Sequence, residues 1–387
     1  MKRLAIITTH PIQYYAPVFK LLHERGNIRI KVFYTLGSGQ TAKYDLGFGK
    51  TVSWDIPLLN GYNYEWVNNT ASDPGSHTFN GIINPGLTTM VMEWLPDAVL
   101  IYGWAYRSHL KALLYFKNKL PVYFRGDSTL LNETKGIKKA AKYIFLRWVY
   151  SHIDHAFYAG KNNKAYFLQY GLKEKQLSFA PHAIDNERFS QNKHKDVAEL
   201  RKSLNIQKED IIILFAGKFD VVKNVELLLE AFINLNRQNI HLLLVGNGVN
   251  EAILKDQAKK SKVSRNVHFL DFKNQSYMPV LYQAADIFCL PSKSETWGLS
   301  INEAMACGKA ILASDRVGCA ADLVKSGENG FVFKTDSLDS ITYYLQKLID
   351  DRELLNKMGE QSGMIIKEWT FMAIAKAIEN KLLNETY

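Results

Sequence analysis

Two glutamates separated by seven residues, Glu295 and Glu303, bracket the stretch of this chain that is best suited to chemistry. They lie within residues 291–314, which pass from a polar loop into a helical pattern, so the backbone amides of residues 297–300 are expected at a helix N-terminus. Such amides bind anions, and carboxylates accept hydrogen bonds from hydroxyls. A phosphate joined to a sugar needs both, and this stretch is predicted to bind such a ligand.

A second loop, residues 216–224, combines positive charge with a glycine. Gly217 follows an apolar strand pattern, Lys218 and Lys223 lie in the loop, and a helical pattern begins near Asn224. Two ammonium groups there can reach a diphosphate and stabilise the charge that develops on it when a bond breaks. For this loop taken alone, two solvated surface lysines are the alternative interpretation.

The remaining motifs are informative mainly through what they lack. The turn at residues 245–250 contains Gly246 without the full GxGxxG spacing, which favours a plain turn near a ligand over a dinucleotide site. No two aspartates are separated by a single residue, and the chain contains no GxSxG, P-loop or HExxH motif. Hydrolase, ATPase and metalloprotease functions are therefore disfavoured, and no metal site is expected.

Polar residues also follow two predicted strands of the first half. His10, Gln13 and Tyr14 come after the first strand, and Arg125 and Asp127 come after the fourth. The carboxyl ends of parallel strands share one sheet edge, so Asp127 would orient His10 as a base if the two loops meet. The alternative is that Arg125 and Asp127 pair with each other as a structural clamp.

Two parallel sheets are needed to position these loops. Apolar strands alternate with helical patterns in both halves, which predicts an α/β fold of two doubly wound, Rossmann-like domains facing a central cleft. The predicted strands cover residues 3–8, 30–34, 98–102, 122–125, 155–159, 211–216, 240–245, 267–270, 287–290, 310–313 and 330–333. Residues 37–80 fit neither period and predict a long excursion.

Periodicity is lost over residues 181–196, where the chain becomes charged, and this change marks a domain boundary. The predicted domains are residues 1–185 and 186–365. The helical pattern left over in residues 366–387 is expected to cross back to the first domain.

Length and composition fit a soluble protein of two domains. The chain has 387 residues, of which 47% are hydrophobic and 22% charged. Its three cysteines match no disulfide framework or zinc pattern, and the sequence shows neither a signal peptide nor about 18 consecutive apolar residues. We therefore expect a cytoplasmic protein.

Positive charge is concentrated in the first half. Residues 1–190 contain 23 Lys and Arg against 13 Asp and Glu, a surplus of 10, whereas residues 191–387 contain 25 of each kind. This asymmetry indicates an anionic partner for the first domain, either a membrane surface or nucleic acid. The basic, aromatic pattern of residues 135–152 is compatible with binding to an anionic membrane, although such a pattern is more often an ordinary helix packed on a sheet. The scattered basic residues argue against nucleic acid.

Together these motifs resemble family 4 of the retaining glycosyltransferases, which have the GT-B fold. The resemblance covers most of residues 181–335. Besides the paired glutamates, the lysine loop and the Gly246 turn, it rests on Ile184, Asp185 and Phe189 and on the segments at residues 306–309, 317–318, 322–324 and 329–330.

The resemblance implies a role for each matching residue. Glu295 would hold hydroxyls of the donor sugar and Glu303 the ribose of the nucleotide, while Lys218 and Lys223 would act on the diphosphate. Members of the family usually have Arg where this chain has Lys218, so contact there would be made by a point charge. The expected donor-binding residues are Gly217, Asn224, Gly246, Thr296, Trp297, Gly298, Leu299, Ser300 and Glu303, and the expected catalytic residues are Glu295, Lys218 and Lys223.

The same resemblance implies transfer of a sugar from a UDP- or GDP-linked donor with retention of configuration, without metal or cofactor. The first half departs from the family pattern at residues 9–11 and 125–127, where many members have Gly-Gly and His, respectively. We expect the first domain to bind the acceptor through His10, Gln13, Tyr14, Arg125 and Asp127.

The function expected from these observations is synthesis of a surface polysaccharide or glycoconjugate on a saccharide or lipid-linked acceptor. The enzyme would work in the cytoplasm, as a peripheral protein on the inner face of the membrane. A non-catalytic or nucleic-acid-binding protein on the same scaffold is one alternative, and a sugar phosphorylase or epimerase of the same fold is another.

Overall fold

The structure is a computed structural model that describes residues 1–37, 42–45, 50–131, 133 and 137–384. In chain order, the described strands are β1 (Arg3–Thr8), β2 (Arg29–Tyr34), β3 (Ala42–Asp45), β4 (Lys50–Ser53), β5 (Tyr64–Trp66), β6 (Ala98–Tyr102), β7 (Val122–Arg125), β8 (His155–Tyr158), β9 (Leu177–Phe179), β10 (Ile211–Ala216), β11 (Ile240–Val245), β12 (Val267–Leu270), β13 (Ile287–Leu290), β14 (Ala310–Ser314) and β15 (Gly330–Phe333).

The described α-helices alternate with these strands. They are α1 (Ala16–Arg25), α2 (Leu87–Glu93), α3 (Arg107–Phe116), α4 (Ile137–Tyr150), α5 (Lys161–Gln169), α6 (Asn186–Ser190), α7 (His194–Ser203), α8 (Val225–Leu235), α9 (Glu251–Lys260), α10 (Met278–Ala284), α11 (Leu299–Ala306), α12 (Ala320–Leu323), α13 (Leu338–Ile349), α14 (Arg352–Ile365) and α15 (Phe371–Leu383). No helix in the described ranges is long and apolar enough to cross a membrane.

The chain forms two compact units. Unit 1 comprises Met1–Ala42, Ile56–His182 and Phe371–Tyr387. Its described strands form one sheet in the order β5-β2-β1-β6-β7-β8-β9, and neighbouring strands are parallel. β6 is buried along its whole length, as expected for a central strand that is covered by helices on both faces.

Unit 2 comprises Lys43–Asp55 and Ala183–Thr370. Its main sheet has the order β12-β11-β10-β13-β14-β15, again with parallel neighbours, and β3 pairs with β4 in a separate small sheet. Strand order reverses between β10 and β13, and the loops that follow these strands lie on either side of the switch point. In doubly wound sheets this is where ligands bind.

Several elements were not expected from the sequence. Strands β5 and β9 have three residues each and are only partly buried, so they show no clear apolar period. Helix α2 begins at Leu87, two residues after Pro85, which disfavours helical backbone in the residue before it. Of the excursion predicted over residues 37–80, residues 38–41 and 46–49 lie outside the described residues.

Part of that excursion belongs to unit 2. The Asp55 carboxylate accepts hydrogen bonds from the backbone amide of Ser276, at 3.1 Å, and from its hydroxyl. The ring of Trp54 lies 6.5 Å from that of Phe272. These contacts attach residues 53–55 to the loop that follows β12.

Helix α15 is fixed to unit 1 by a buried carboxylate. Glu379 is only 3% exposed and accepts hydrogen bonds from Arg25 Nε at 2.9 Å, Arg25 Nη2 at 2.8 Å and Asn27 Nδ2 at 3.1 Å. A buried carboxylate is stable only while its donors stay in place. The last helix is therefore joined to α1 by a specific ion pair as well as by apolar packing.

Replacing Arg25 by alanine should lower the melting temperature of the full chain by on the order of 10 °C, because Glu379 then loses its main donor. Calorimetry on the full-length variant measures this shift. Lys20→Ala is the matched control on the same helix, since it removes only the exposed Lys20–Glu24 pair at 3.6 Å. Equal melting temperatures for the two variants would contradict this account.

Candidate functional site

The loops that follow β10, β13 and β14 meet at the carboxyl edge of the unit 2 sheet. The Lys223 ammonium forms an ion pair with the Glu295 carboxylate, and both side chains keep about a fifth of their surface exposed, 24% and 18%. Glu295 is held from the other side by its backbone, which donates to the Arg316 carbonyl at 3.1 Å and accepts from the Gly318 amide at 3.0 Å. Two side chains that are 72 residues apart in sequence are thus brought together.

The loop after β15 contacts the loop after β10 at this edge. The two residues that make the contact, one from each loop, have left-handed backbone. Asn224 has φ 55° and Asp336 has φ 57°. The Asn224 side-chain amide donates to Asp336 Oδ1 at 3.1 Å, and Lys293 Nζ lies 3.0 Å from the same oxygen. Asn and Asp tolerate this backbone better than most residues. Sequence reasoning missed Asp336 and Lys293, because no motif marks them.

Two glycines let the loop carrying Lys218 pack tightly against the next turn. The Gly217 amide donates to the Val245 carbonyl at 3.0 Å, and Gly246 has φ 143°. A Cβ on Gly246 would lie 1.9 Å from the Gly217 carbonyl oxygen. The turn at residues 245–250 therefore closes against the lysine loop, and Lys218 is partly exposed at this edge.

The amide end of α11 completes the predicted donor-binding stretch. Gly298 precedes the helix with φ 100°, Thr296 is exposed, and Leu299 and Ser300 are partly buried. The side chain of Trp297, in contrast, is buried. Its indole nitrogen donates to Asn302 Oδ1 at 3.0 Å, and its ring lies 5.3 Å from that of Trp369. This indole supports the loop from the core side.

Glu303 is buried on α11, with 3% of its surface exposed. The hydroxyl of Tyr282, on α10, donates to Glu303 Oε2 at 2.8 Å. The Tyr282 ring lies 5.8 Å from that of Phe189 and 5.4 Å from that of Phe288. Tyr282 was not among the predicted site residues, since it lies 21 positions before Glu303 and outside the glutamate motif.

In unit 1, the predicted acceptor residues have different surroundings. His10, Gln13 and Tyr14 are partly exposed after β1, and His10 Nδ1 lies 2.9 Å from the Thr9 hydroxyl. Asp127 is exposed. Arg125 is instead 3% exposed, and its terminal nitrogens donate to the carbonyls of Ala180 at 2.8 Å and Pro181 at 2.9 Å. The guanidinium thus joins the end of β7 to the segment after β9.

Two tyrosines and a histidine, which sequence reasoning missed, lie near Arg125 and Asp127: Tyr15 is partly buried, and Tyr102 and His182 are buried. The Tyr15 ring is 4.8 Å from that of Tyr102. Burial and then the charge of Asp127 raise the pKa of Tyr15, and burial raises the pKa of Tyr102 to about 12 against the opposing charge of Arg125. Burial, aided by Arg125, lowers the pKa of His182 well below its usual value. The Tyr15 and Tyr102 hydroxyls and the His182 imidazole are therefore uncharged at neutral pH.

An apolar surface lies on α4 of unit 1. Ile144, Phe145 and Trp148 are exposed at 70%, 41% and 44%, and the Phe145 and Trp148 rings are 5.7 Å apart. Lys142 and Arg147 are exposed on the same helix. We refer to Ile144, Phe145 and Trp148 as the α4 patch.

Within the described residues, no group of three or more His, Cys, Asp or Glu side chains could hold a metal ion. The three cysteines are free thiols, with Cys289 and Cys319 buried. Burial raises the pKa of both buried thiols, which keeps them protonated and unreactive at neutral pH.

Among the comparisons with known proteins, the family match falls within unit 2. Residues 196–363 match the family described as glycosyl transferases group 1. An uncharacterized glycosyltransferase of Methanocaldococcus jannaschii is 32% identical over 152 residues, 39% of each chain. A lipopolysaccharide 1,2-N-acetylglucosaminetransferase of Salmonella typhimurium is 27% identical over 231 residues, 56% of this chain and 59% of that protein. The chain spans about half the length of the curated relatives it matches.

Among solved structures, Anabaena HepE in complex with UDP and glucose resembles this chain with a TM-score of 0.73 at 17% identity, and the match covers 100% of both chains. At this level of identity the likeness establishes the fold. The predicted fold class, two doubly wound α/β domains of the GT-B type, is therefore confirmed.

Proposed function

We propose that this chain, whose residues 196–363 match the glycosyl transferases group 1, is a retaining glycosyltransferase that uses a nucleotide-sugar donor. The observation that carries the proposal is the pairing of Lys223 with Glu295 at the carboxyl edge of unit 2. A cation for a diphosphate and an acceptor for sugar hydroxyls are thus side by side, next to the amide end of α11.

In the proposed reaction, the bond between the anomeric carbon of the donor sugar and the diphosphate oxygen breaks. Lys218 and Lys223 stabilise the negative charge on the leaving nucleoside diphosphate. The acceptor hydroxyl attacks from the same face, and its proton passes to the departing diphosphate. Glu295 holds hydroxyls of the sugar and Glu303 the ribose. These roles require neither a metal ion nor a redox cofactor.

A UDP- or GDP-linked sugar is the proposed donor, and HepE, which is described in complex with UDP and glucose, supports the first of these. The proposed acceptor is a saccharide or lipid-linked saccharide of a surface polysaccharide or glycoconjugate. The lipopolysaccharide transferase of Salmonella supports that class, and the partly exposed polar side chains after β1 suit it chemically. Acceptor contacts by His10, Gln13, Tyr14 and Asp127 are part of this proposal, whereas Arg125 would act through the backbone it holds.

Thermal-shift measurements with UDP-, GDP- and ADP-sugars test the donor site, because a ligand that binds the native state raises the melting temperature. We expect a UDP- or GDP-sugar to do so. Oligosaccharide acceptors should then trigger release of nucleoside diphosphate, with the anomeric configuration kept in the product and the rate unchanged by EDTA. No shift with any donor, or release that does not depend on acceptor, would overturn the proposal.

We also propose that unit 1 rests on an anionic membrane through the α4 patch. Exposed aromatic and aliphatic side chains on a helix with Lys142 and Arg147 are typical of interfacial binding. The surplus of 10 positive charges in residues 1–190 adds long-range attraction. Such a position would bring a lipid-linked acceptor to the cytoplasmic enzyme.

Co-sedimentation with vesicles of phosphatidylglycerol and phosphatidylcholine tests this surface. Replacing Ile144, Phe145 and Trp148 together by serine should weaken binding at least about tenfold, since three apolar side chains lose their burial in lipid. Leu114→Ser is the control, because Leu114 is an exposed apolar residue of unit 1 on α3. Equal binding by the triple variant and the control, or equal binding of the unchanged protein to pure phosphatidylcholine, would contradict the proposal.

A further inference from the structure

We propose that Tyr282 is a positioning residue of the donor site, which orients Glu303 for the two vicinal hydroxyls of the nucleotide ribose. This inference rests on the proposed function. Its starting point is a hydrogen bond between α10 and α11, in which the Tyr282 hydroxyl donates to Glu303 Oε2 at 2.8 Å.

The tyrosine ring is held rigidly. Tyr282 is fully buried, and its ring lies between those of Phe189, at 5.8 Å, and Phe288, at 5.4 Å. Phe288 belongs to β13, the strand that leads into the glutamate loop. The hydroxyl is therefore fixed relative to the sheet, and packing that locks a supporting side chain also locks the group it holds.

The carboxylate is the part that needs support. Glu303 is 3% exposed, and a carboxylate with so little water around it depends on protein donors to stay in one orientation. A hydroxyl donating to a charged oxygen forms a strong, directional bond. Tyr282 supplies such a bond from a different helix, so the orientation of Glu303 does not depend on α11 alone.

The acceptor capacity of a carboxylate is large enough for a diol as well as for the Tyr282 hydroxyl. A carboxylate has two oxygens and about four acceptor positions, so Glu303 can accept the Tyr282 hydroxyl and two hydroxyls of a ribose. A carboxylate already held in place loses less entropy on binding. Tyr282 should therefore strengthen binding of nucleotides that carry both ribose hydroxyls and leave binding of nucleotides that lack them unchanged.

Calorimetric titration of the full-length protein tests the inference, with UDP, GDP and their 2′,3′-dideoxy analogues as probes. For the nucleotide that binds more tightly, Tyr282→Phe should raise the Kd of the ribose form about tenfold and leave that of the dideoxy form unchanged. Glu303→Gln should also reduce the preference for the ribose form. Tyr344→Phe is the control, because Tyr344 belongs to unit 2 and its ring stacks on Phe331.

The possible results separate the two proposals. If the unchanged protein binds neither UDP nor GDP, the proposed function and this inference both fail. If it binds and prefers the ribose form, but Tyr282→Phe keeps that preference in full, only the role of Tyr282 is refuted. An equal loss of affinity for ribose and dideoxy forms would likewise refute it, since a general structural defect does not distinguish the two ligands. Melting curves of each variant verify that it is folded.

Discussion

Replacing Lys223 by alanine is expected to lower kcat for sugar transfer by a factor of about 10²–10³, the usual cost of removing one group that stabilises charge in the transition state. The Lys223 ammonium is 24% exposed and is already at the carboxyl edge, paired with Glu295. It is thus placed before the donor arrives and needs little rearrangement to act on the diphosphate. Steady-state kinetics with the identified donor measure the effect.

A double variant and a control variant test whether this loss of activity reflects a catalytic role of Lys223. Because Lys223 and Glu295 touch, the double variant with Glu295→Gln should lose less activity than the two single losses combined. Lys260→Ala removes an exposed Lys–Asp pair on α9 and should leave kcat unchanged. If Lys223→Ala behaved like Lys260→Ala, Lys223 would have no catalytic role.

Gly246→Ala is the second variant with a large expected effect. A Cβ at this position would lie 1.9 Å from the Gly217 carbonyl oxygen, and the backbone has φ 143°, which suits glycine. Backbone atoms would have to separate, and the loop carrying Lys218 would move with them. We expect loss of measurable nucleotide binding and a melting temperature lower by about 5 °C or more.

Gly363→Ala provides the matched control within unit 2. A Cβ there would meet no atom within 4 Å, and the residue lies inside α14. Alanine in a helix interior is favoured over glycine by about 0.5–1 kcal/mol, so this variant should melt at the same or a higher temperature. Unimpaired nucleotide binding by Gly246→Ala would show that the close approach to Gly217 is dispensable.

The fold was predictable because its central strands are buried on both faces. β10 is a continuous apolar run, and β1 and β11 are nearly so. Helical patterns alternate with such runs along the chain. The fold class follows from that alternation. Short edge strands such as β9 were not predicted, because three residues that are at most partly buried carry no periodic signal.

The donor side was predictable only in part. Sequence motifs named Lys223 and Glu295, but their ion pair depends on two loops that are distant in sequence. Tyr282 and Asp336 could not be found in this way, because their function depends on which helix or loop lies opposite them in the folded unit. The start of helix α14, by contrast, is marked in the sequence by an N-cap residue, because the Asp351 side chain accepts a hydrogen bond from the Leu354 amide.

The attachment of residues 53–55 to unit 2 affects how this protein could be recombined with its relatives. Exchanging everything after residue 182 would keep Asp55 but remove Ser276. The Asp55 carboxylate would then lose the hydrogen bonds from the Ser276 amide and hydroxyl, unless the new sequence supplies equivalent donors. A chimera that is meant to change the acceptor while keeping the donor should therefore carry Lys43–Asp55 together with unit 2, and return to the partner sequence at Phe371. The modular boundary is set by folded contacts, and four cuts in the chain, after residues 42, 55, 182 and 370, are needed to respect it.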